Sequence, residues 1–185
     1  MEDYYVKIRH SFWEDVSQEL KAGEIRMLVL MLSQRKDFII HSGAIEKKLG
    51  ISQQNVSRSM IKLKNAGYVI LPKQHQEKDG KFISDGGYKL TMKAIQYLAD
   101  ADSRNYQFYW ETQICDRTIS NNEWLINSFL SCYPEDSVMR LDFKAIAKRL
   151  HIDVRTVKKY VEPKGISTLE VIVPTVEEIA DAFSF

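Results

Sequence analysis

Cysteine is scarce in this sequence: the two thiols, Cys115 and Cys132, have no second pair and no histidine cluster beside them. That excludes a disulfide framework and fits a reducing compartment. Long apolar runs are missing as well. The longest, Met27 to Leu32, is far too short to span a bilayer. No basic start followed by an apolar segment marks a secretory leader. A cytoplasmic protein with no membrane partner is expected. Nor does one sign of charge prevail: 26 Lys and Arg against 25 Asp and Glu leave a formal net charge of +1. A polyanionic partner would have to be met by where the cations stand, not by their sum.

Catalytic equipment is thin too. The four histidines, His10, His41, His75 and His151, are dispersed, and none has a metal-ligand spacing to a cysteine. No glycine-rich phosphate loop and no Gly-x-Ser-x-Gly elbow occurs. His151, Arg155 and Tyr160 are residue types that recombinases use, but they fall inside one turn motif, where each has a structural use. An enzyme is not expected, and neither is a cofactor or a metal.

Apolar residues make up 44% of the 185, so a packed core is feasible, in one domain or two small ones. The most informative stretch is residues 44–63. Ile45 and Leu49 lie four apart and share a helix face. Gly50 follows where a helix ends and a positive φ is wanted. Ile51 fills the corner, and Ser52 can cap the next helix. Val56, Met60 and Leu63 then form one buried stripe. The opposite face carries Gln53, Gln54, Asn55, Ser57, Arg58 and Lys62. Amides, hydroxyls and cations are the groups that reach base edges and phosphates in a major groove. Helix, tight turn and second helix with faces divided in this way form the pattern of a DNA-binding helix-turn-helix. Gln53, Gln54, Asn55 and Arg58 are the expected base readers. Ser52, Ser57 and Lys62 complete the DNA-facing set, Ser57 and Lys62 as phosphate contacts.

The flanks extend this motif. Tyr4 to Ile8 reads as a short strand or an extended arm, and Ser11 as the cap of a helix holding Phe12, Trp13, Val16 and Leu20. Residues 23–36 are apolar nearly all round, as in a buried central helix. Phe38 to Ile40 is β-prone, and Ser42 can cap the first helix of the motif. Gly67 should end the second. Tyr68 to Leu71 and Tyr88 to Leu90 read as strands around a polar loop that holds Lys73, Lys78, Asp79-Gly80 and Lys81. That is a hairpin, and its lysines can touch the DNA backbone or minor groove as a wing. Thr91 should cap a helix running to about Ala101. The cluster Tyr106, Phe108, Tyr109 and Trp110 has no cation interleaved with it in the sequence, so it reads as packing between domains and not as a platform for bases. A helix with Trp124, Leu125, Phe129 and Leu130 on one side follows.

The order strand, helix, helix, recognition helix, wing, helix resembles the winged-helix family. Leu49-Gly50-Ile51-Ser52, Val56-Ser57-Arg58 and Gly67-Tyr68-Val69 look like the core signature of MarR-type regulators. Tyr88-Lys89-Leu90-Thr91 resembles their strand-to-helix step after the wing, although Ala94 stands near where that family usually has a glycine. The resemblance covers roughly residues 22–101 and implies the fold and DNA binding. The N-terminal piece is also similar to plasmid and phage replication proteins.

Residues 145–161 can be laid on 44–60 without a gap. Ala44 meets Ala145, Ile45 meets Ile146, Lys47 meets Lys148, Leu49 meets Leu150, Ile51 meets Ile152 and Val56 meets Val157. Asp153 takes the place of the capping Ser52. His151 takes the place of Gly50, and histidine enters the left-handed region more readily than most residues. The outward face is basic: Lys148, Arg149, Arg155, Lys158 and Lys159, with Thr156 among them. Leu169 to Val173 and a helix capped by Thr175 are expected to close the chain. The expected fold is mainly α with small β-hairpin wings, a tandem winged helix-turn-helix, with domains at 1–103 and 104–185. The expected function is a transcriptional regulator that binds double-stranded DNA, with a homodimer as a further expectation. The alternatives are an initiator or organiser that binds repeats at a plasmid or phage origin, and a winged unit that binds protein.

Overall fold

The computed structural model describes residues 5–34, 39–76, 82–99, 105–133 and 142–162, with the backbone alone for 74–76 and 82–85. It is mainly helical with small antiparallel sheets. The chain divides into two compact units, the first ending at Cys132 and the second starting at Tyr133.

In the first unit, helix α2 (Ala22–Ser33) is buried at every position except Gly23. Its apolar side chains therefore need neighbours all round, and they have them. α1 (Ser11–Ser17), α4 (Gln53–Asn65) and α7 (Asn121–Leu130) pack on it, as does strand β1 (Tyr5–Arg9). Between α2 and α4 lie β2 (Ile39–Ile40) and α3 (Ser42–Leu49). After α4 come β3 (Val69–Ile70), β4 (Lys73–Gln76), β5 (Phe82–Asp85), β6 (Tyr88–Leu90) and the short α5 (Met92–Ile95). β6 lies between β2 and β3 in one antiparallel sheet, and β4 pairs with β5 in a second. The stretch expected as a polar loop thus holds a ladder of its own, Lys73 opposite Asp85 through Gln76 opposite Phe82.

Three expected caps differ. His10 and His41, not Ser11 and Ser42, occupy the N-cap positions of α1 and α3. Thr91 does stand at the N-cap of α5, but its hydroxyl donates to the Gly67 carbonyl at 2.7 Å, tying the helix start to the end of α4. α5 is also shorter than expected. Leu98 leaves it to bridge Ile8, and the Ala99 N–H donates to the Lys7 carbonyl at 3.0 Å.

The aromatic cluster is strand β7 (Tyr106–Trp110), followed by the short helix α6 (Glu111–Ile114). β7 pairs with β1 from Tyr5 opposite Trp110 to Arg9 opposite Tyr106. This pairing and the packing of α7 on α2 draw residues 106–132 into the first unit, so the division falls after Cys132 and not after Ser103. In the second unit, α8 (Phe143–Arg149) and α9 (Val154–Val161) close over Phe143, Ile146, Ala147, Leu150, Val157 and Val161, all buried. The expected strand at 169–173 and the helix from Thr175 lie outside the described residues.

Candidate nucleic-acid interface

The turn between α3 and α4 is built from its residue types. Gly50 ends α3 at φ +67°, a conformation in which a Cβ is costly. Its lack of a side chain serves a second purpose. Arg117 lies across it, and a Cβ there would stand 2.8 Å from Nε. Arg117 donates to the Lys48 carbonyl at 3.4 Å and through Nη2 to the Lys47 carbonyl. A guanidinium thus occupies the negative end of α3, where the last carbonyls have no partner within the helix. Ser52 accepts the Asn55 N–H at 3.4 Å and caps α4 as expected.

α4 then divides cleanly. Val56, Met60 and Leu63 have no exposed surface, while Gln53, Gln54, Asn55, Ser57 and Arg58 are all exposed. At its far end Gly67 takes φ +82°. The Gly67 N–H reaches the Lys64 carbonyl and the Tyr68 N–H the Leu63 carbonyl, both at 2.9 Å. These paired bonds are the Schellman closure that a C′ glycine permits. An open groove of about 720 Å³ separates α4 from the base of the hairpin, with Gln53, Ser57 and Ile61 on one wall and Leu71, Pro72, Gly86 and Tyr88 on the other. A second, of about 330 Å³, runs along the other flank by Asn55, Arg58, Ser59 and Lys62.

Lys62 is the departure from expectation. Its ammonium stands 2.6 Å from Oε1 of Glu24, whose side chain is 7% exposed, and Ser59 Oγ donates to the same oxygen at 3.4 Å. Lys62 therefore holds α4 to α2 before it holds any phosphate. Lys73 is exposed at the start of β4; Lys78 and Lys81 lie outside the described residues.

The second turn repeats the first with different residues. His151 has φ +50°, the one described residue other than glycine in the left-handed region. Asp153 caps α9 by accepting the Arg155 N–H at 2.7 Å, and Asp142 caps α8 through the Lys144 N–H at 3.2 Å. Lys148, Arg155, Lys158 and Lys159 are exposed, and Thr156 is half-buried. Arg149 donates to the Tyr133 hydroxyl at 2.6 Å.

Sequence reasoning missed Glu24, Arg26 and Arg117, the polar groups that fix the frame behind α4. Arg26 is 5% exposed. It donates to the Ile114 carbonyl at 2.7 Å, the Ile119 carbonyl at 3.3 Å, Asn121 Oδ1 at 3.2 Å and the Asp116 carbonyl. Burial lowers its pKa from the ordinary guanidinium value. The signal was present: Glu24 and Arg26 are the two charges inside an otherwise apolar run. Among the described residues no group of three or more His, Cys, Asp or Glu could hold a metal, and no helix is long and apolar enough to cross a membrane. No protein-family model, curated protein or solved structure matches the chain.

Proposed function

We propose that this protein binds double-stranded DNA in a sequence-specific manner and acts as a transcriptional regulator. In this reading the α3–α4 pair with its hairpin is a winged helix-turn-helix of MarR type, and α8–α9 is a second helix-turn-helix. The observation that carries it is the division of α4. Its apolar stripe is fully used in packing, while three amides, a hydroxyl and a guanidinium along its first turns are left in water. An amide or guanidinium can make the paired bonds that distinguish one base pair from another. Gln53, Gln54, Asn55 and Arg58 are the base readers, Ser57 and the wing lysines touch phosphate, and Arg155, Lys158 and Lys159 serve the second unit.

Selection of bound duplexes from a random pool tests this reading directly. A single enriched sequence is expected, and Arg58→Ala should then cost about 1–3 kcal/mol at that site if Arg58 pairs with a guanine. Unchanged affinity in a mobility-shift assay removes Arg58 from the readers. A pool that yields no consensus, with weak binding nearly independent of salt, favours a unit that binds protein. The strand β1 ahead of the buried α2 supports the replication reading as the second choice. Mapping bound sites across a genome separates the two: promoters for a regulator, one repeat-containing origin for an initiator.

A further inference from the structure

The β1–β7 ribbon has two unlike faces. Val6, Ile8 and Tyr109 point into the core and are 4%, 0% and 4% exposed. The Tyr109 hydroxyl donates to the Ser128 carbonyl at 2.8 Å. The other face consists of the three cross-strand pairs Tyr5 with Trp110, Lys7 with Phe108 and Arg9 with Tyr106. Every side chain on it is aromatic or cationic. Phe108 and Trp110 remain 40% and 41% exposed, the only aromatic ones among the large exposed apolar side chains described. Lys7 Nζ lies 5.2 Å from the ring centroids of both Tyr106 and Phe108. Arg9 is exposed, with Nε donating to the Leu98 carbonyl at 3.3 Å.

The cations missing from the sequence around β7 are therefore supplied by β1, across the ladder. Aromatic rings interleaved with cations are the surface that binds unpaired nucleic acid: bases stack on the rings and phosphates meet the cations. Residues two apart on β7 are spaced about 6.8 Å, twice the roughly 3.4 Å rise per base of a duplex strand. That spacing suits bases that have come apart, not a stacked helix. Cross-strand ring pairs also steady the ribbon by themselves, as the 5.3 Å Tyr5–Trp110 contact shows. They do not require that the face be free of carboxylates, as it is at all six positions.

We propose that this face of the ribbon is a binding platform for single-stranded nucleic acid, separate from the α4 surface and independent of the duplex reading. Trp110 reports on it, because Trp13 and Trp124, the other two tryptophans, are buried. The experiment adds single-stranded oligothymidylate of about 12 nucleotides, within the span such surfaces cover, to the full chain at low salt. Tryptophan emission should be quenched, and the anisotropy of an end-labelled copy of the oligonucleotide, which does not depend on Trp110, should rise and is the readout for the variants. Trp110→Ala should weaken binding by about five- to 150-fold, the range of a base–aromatic stack worth about 1–3 kcal/mol. Trp110→Tyr should keep most of the affinity, and Lys7→Gln should lower the salt slope by about 0.7. Arg58→Ala should leave this binding unchanged. If Trp110→Ala does not fold, as judged by its thermal midpoint, Trp110→Tyr and Lys7→Gln decide. Absence of quenching and binding overturns the proposal, as does wild-type affinity in Trp110→Ala, or a loss in Arg58→Ala equal to that in Trp110→Ala. A dimer that Trp110→Ala disperses, with no oligonucleotide bound, assigns the face to a second copy and also overturns it.

Discussion

Gly50 and His151 hold the same place in two turns, and each has a positive φ. Their substitutions should nevertheless differ. At Gly50 a side chain meets both the left-handed strain, about 1–2 kcal/mol, and Arg117 at 2.8 Å. Gly50→Ala should therefore lower stability in urea by about 1–2 kcal/mol. At His151 the strain is already present. Glycine would relieve it but would bring back about 0.5–1 kcal/mol of backbone entropy in the unfolded chain. His151→Gly should shift stability by less than about 1 kcal/mol in the same titration. Tyr109 adds a dependence on pH. Burial, its largest influence, pushes the phenol well above its ordinary value. Its unfolded pKa is near 10. Below about pH 10 both states hold the proton and the full stability is present. Above it the unfolded chain ionises while the folded one does not, so stability falls as pH rises. Tyr109→Phe should cost about 1 kcal/mol at neutral pH for the lost bond to Ser128 and should flatten the decline between pH 10 and 11.5. An equally steep decline would assign it to other groups.

Lys62 shows why a helix face is not the same thing as a binding surface. Position alone puts it beside Arg58 on the wet side of α4, and its side chain is 55% exposed, but its ammonium belongs to Glu24. Releasing it to a phosphate would leave a buried carboxylate with Ser59 alone. Lys62→Ala should thus leave the salt slope of duplex binding unchanged, while Lys73→Ala at the exposed start of the hairpin should lower it by about 0.9. Equal slopes for the two variants would return Lys62 to the contact set. The same distinction marks what could be read in advance. The turn glycine, the Ser52 and Asp153 caps, the stripe Val56, Met60 and Leu63, and the left-handed His151 were legible, because each depends on neighbours within about seven residues. The strand β7 was not. Its partner β1 lies about a hundred positions earlier, and only pairing turns a cluster of rings into one buried and one cation-bearing face. Arg26 and Arg117 escaped for the same reason, since the carbonyls they bind come from distant turns.

A formal charge of +1 tells little about a molecule in two parts. Residues 142–162 carry six Lys and Arg against three Asp and Glu, and two of those carboxylates, Asp142 and Asp153, are occupied as helix caps. The helix pair is therefore basic although the second unit as a whole, from Tyr133, carries eight Lys and Arg against nine Asp and Glu; Arg155, Lys158 and Lys159 are exposed on α9. If both units engage one duplex, the first to land makes the second encounter intramolecular, and affinity exceeds that of either alone. The combined substitution of Arg155, Lys158 and Lys159 by alanine tests this in the intact chain. None of the three is buried, and the Asp153 cap is retained through a backbone N–H, so the fold should be unaffected by circular dichroism. The salt slope should fall by up to about 2.7, that is about 0.9 for each lost phosphate. The footprint should also shorten by about one helical turn, the spacing of adjacent half-sites. An unchanged slope and an unchanged footprint would mean that the first unit binds alone and that the basic face of α9 serves some other contact.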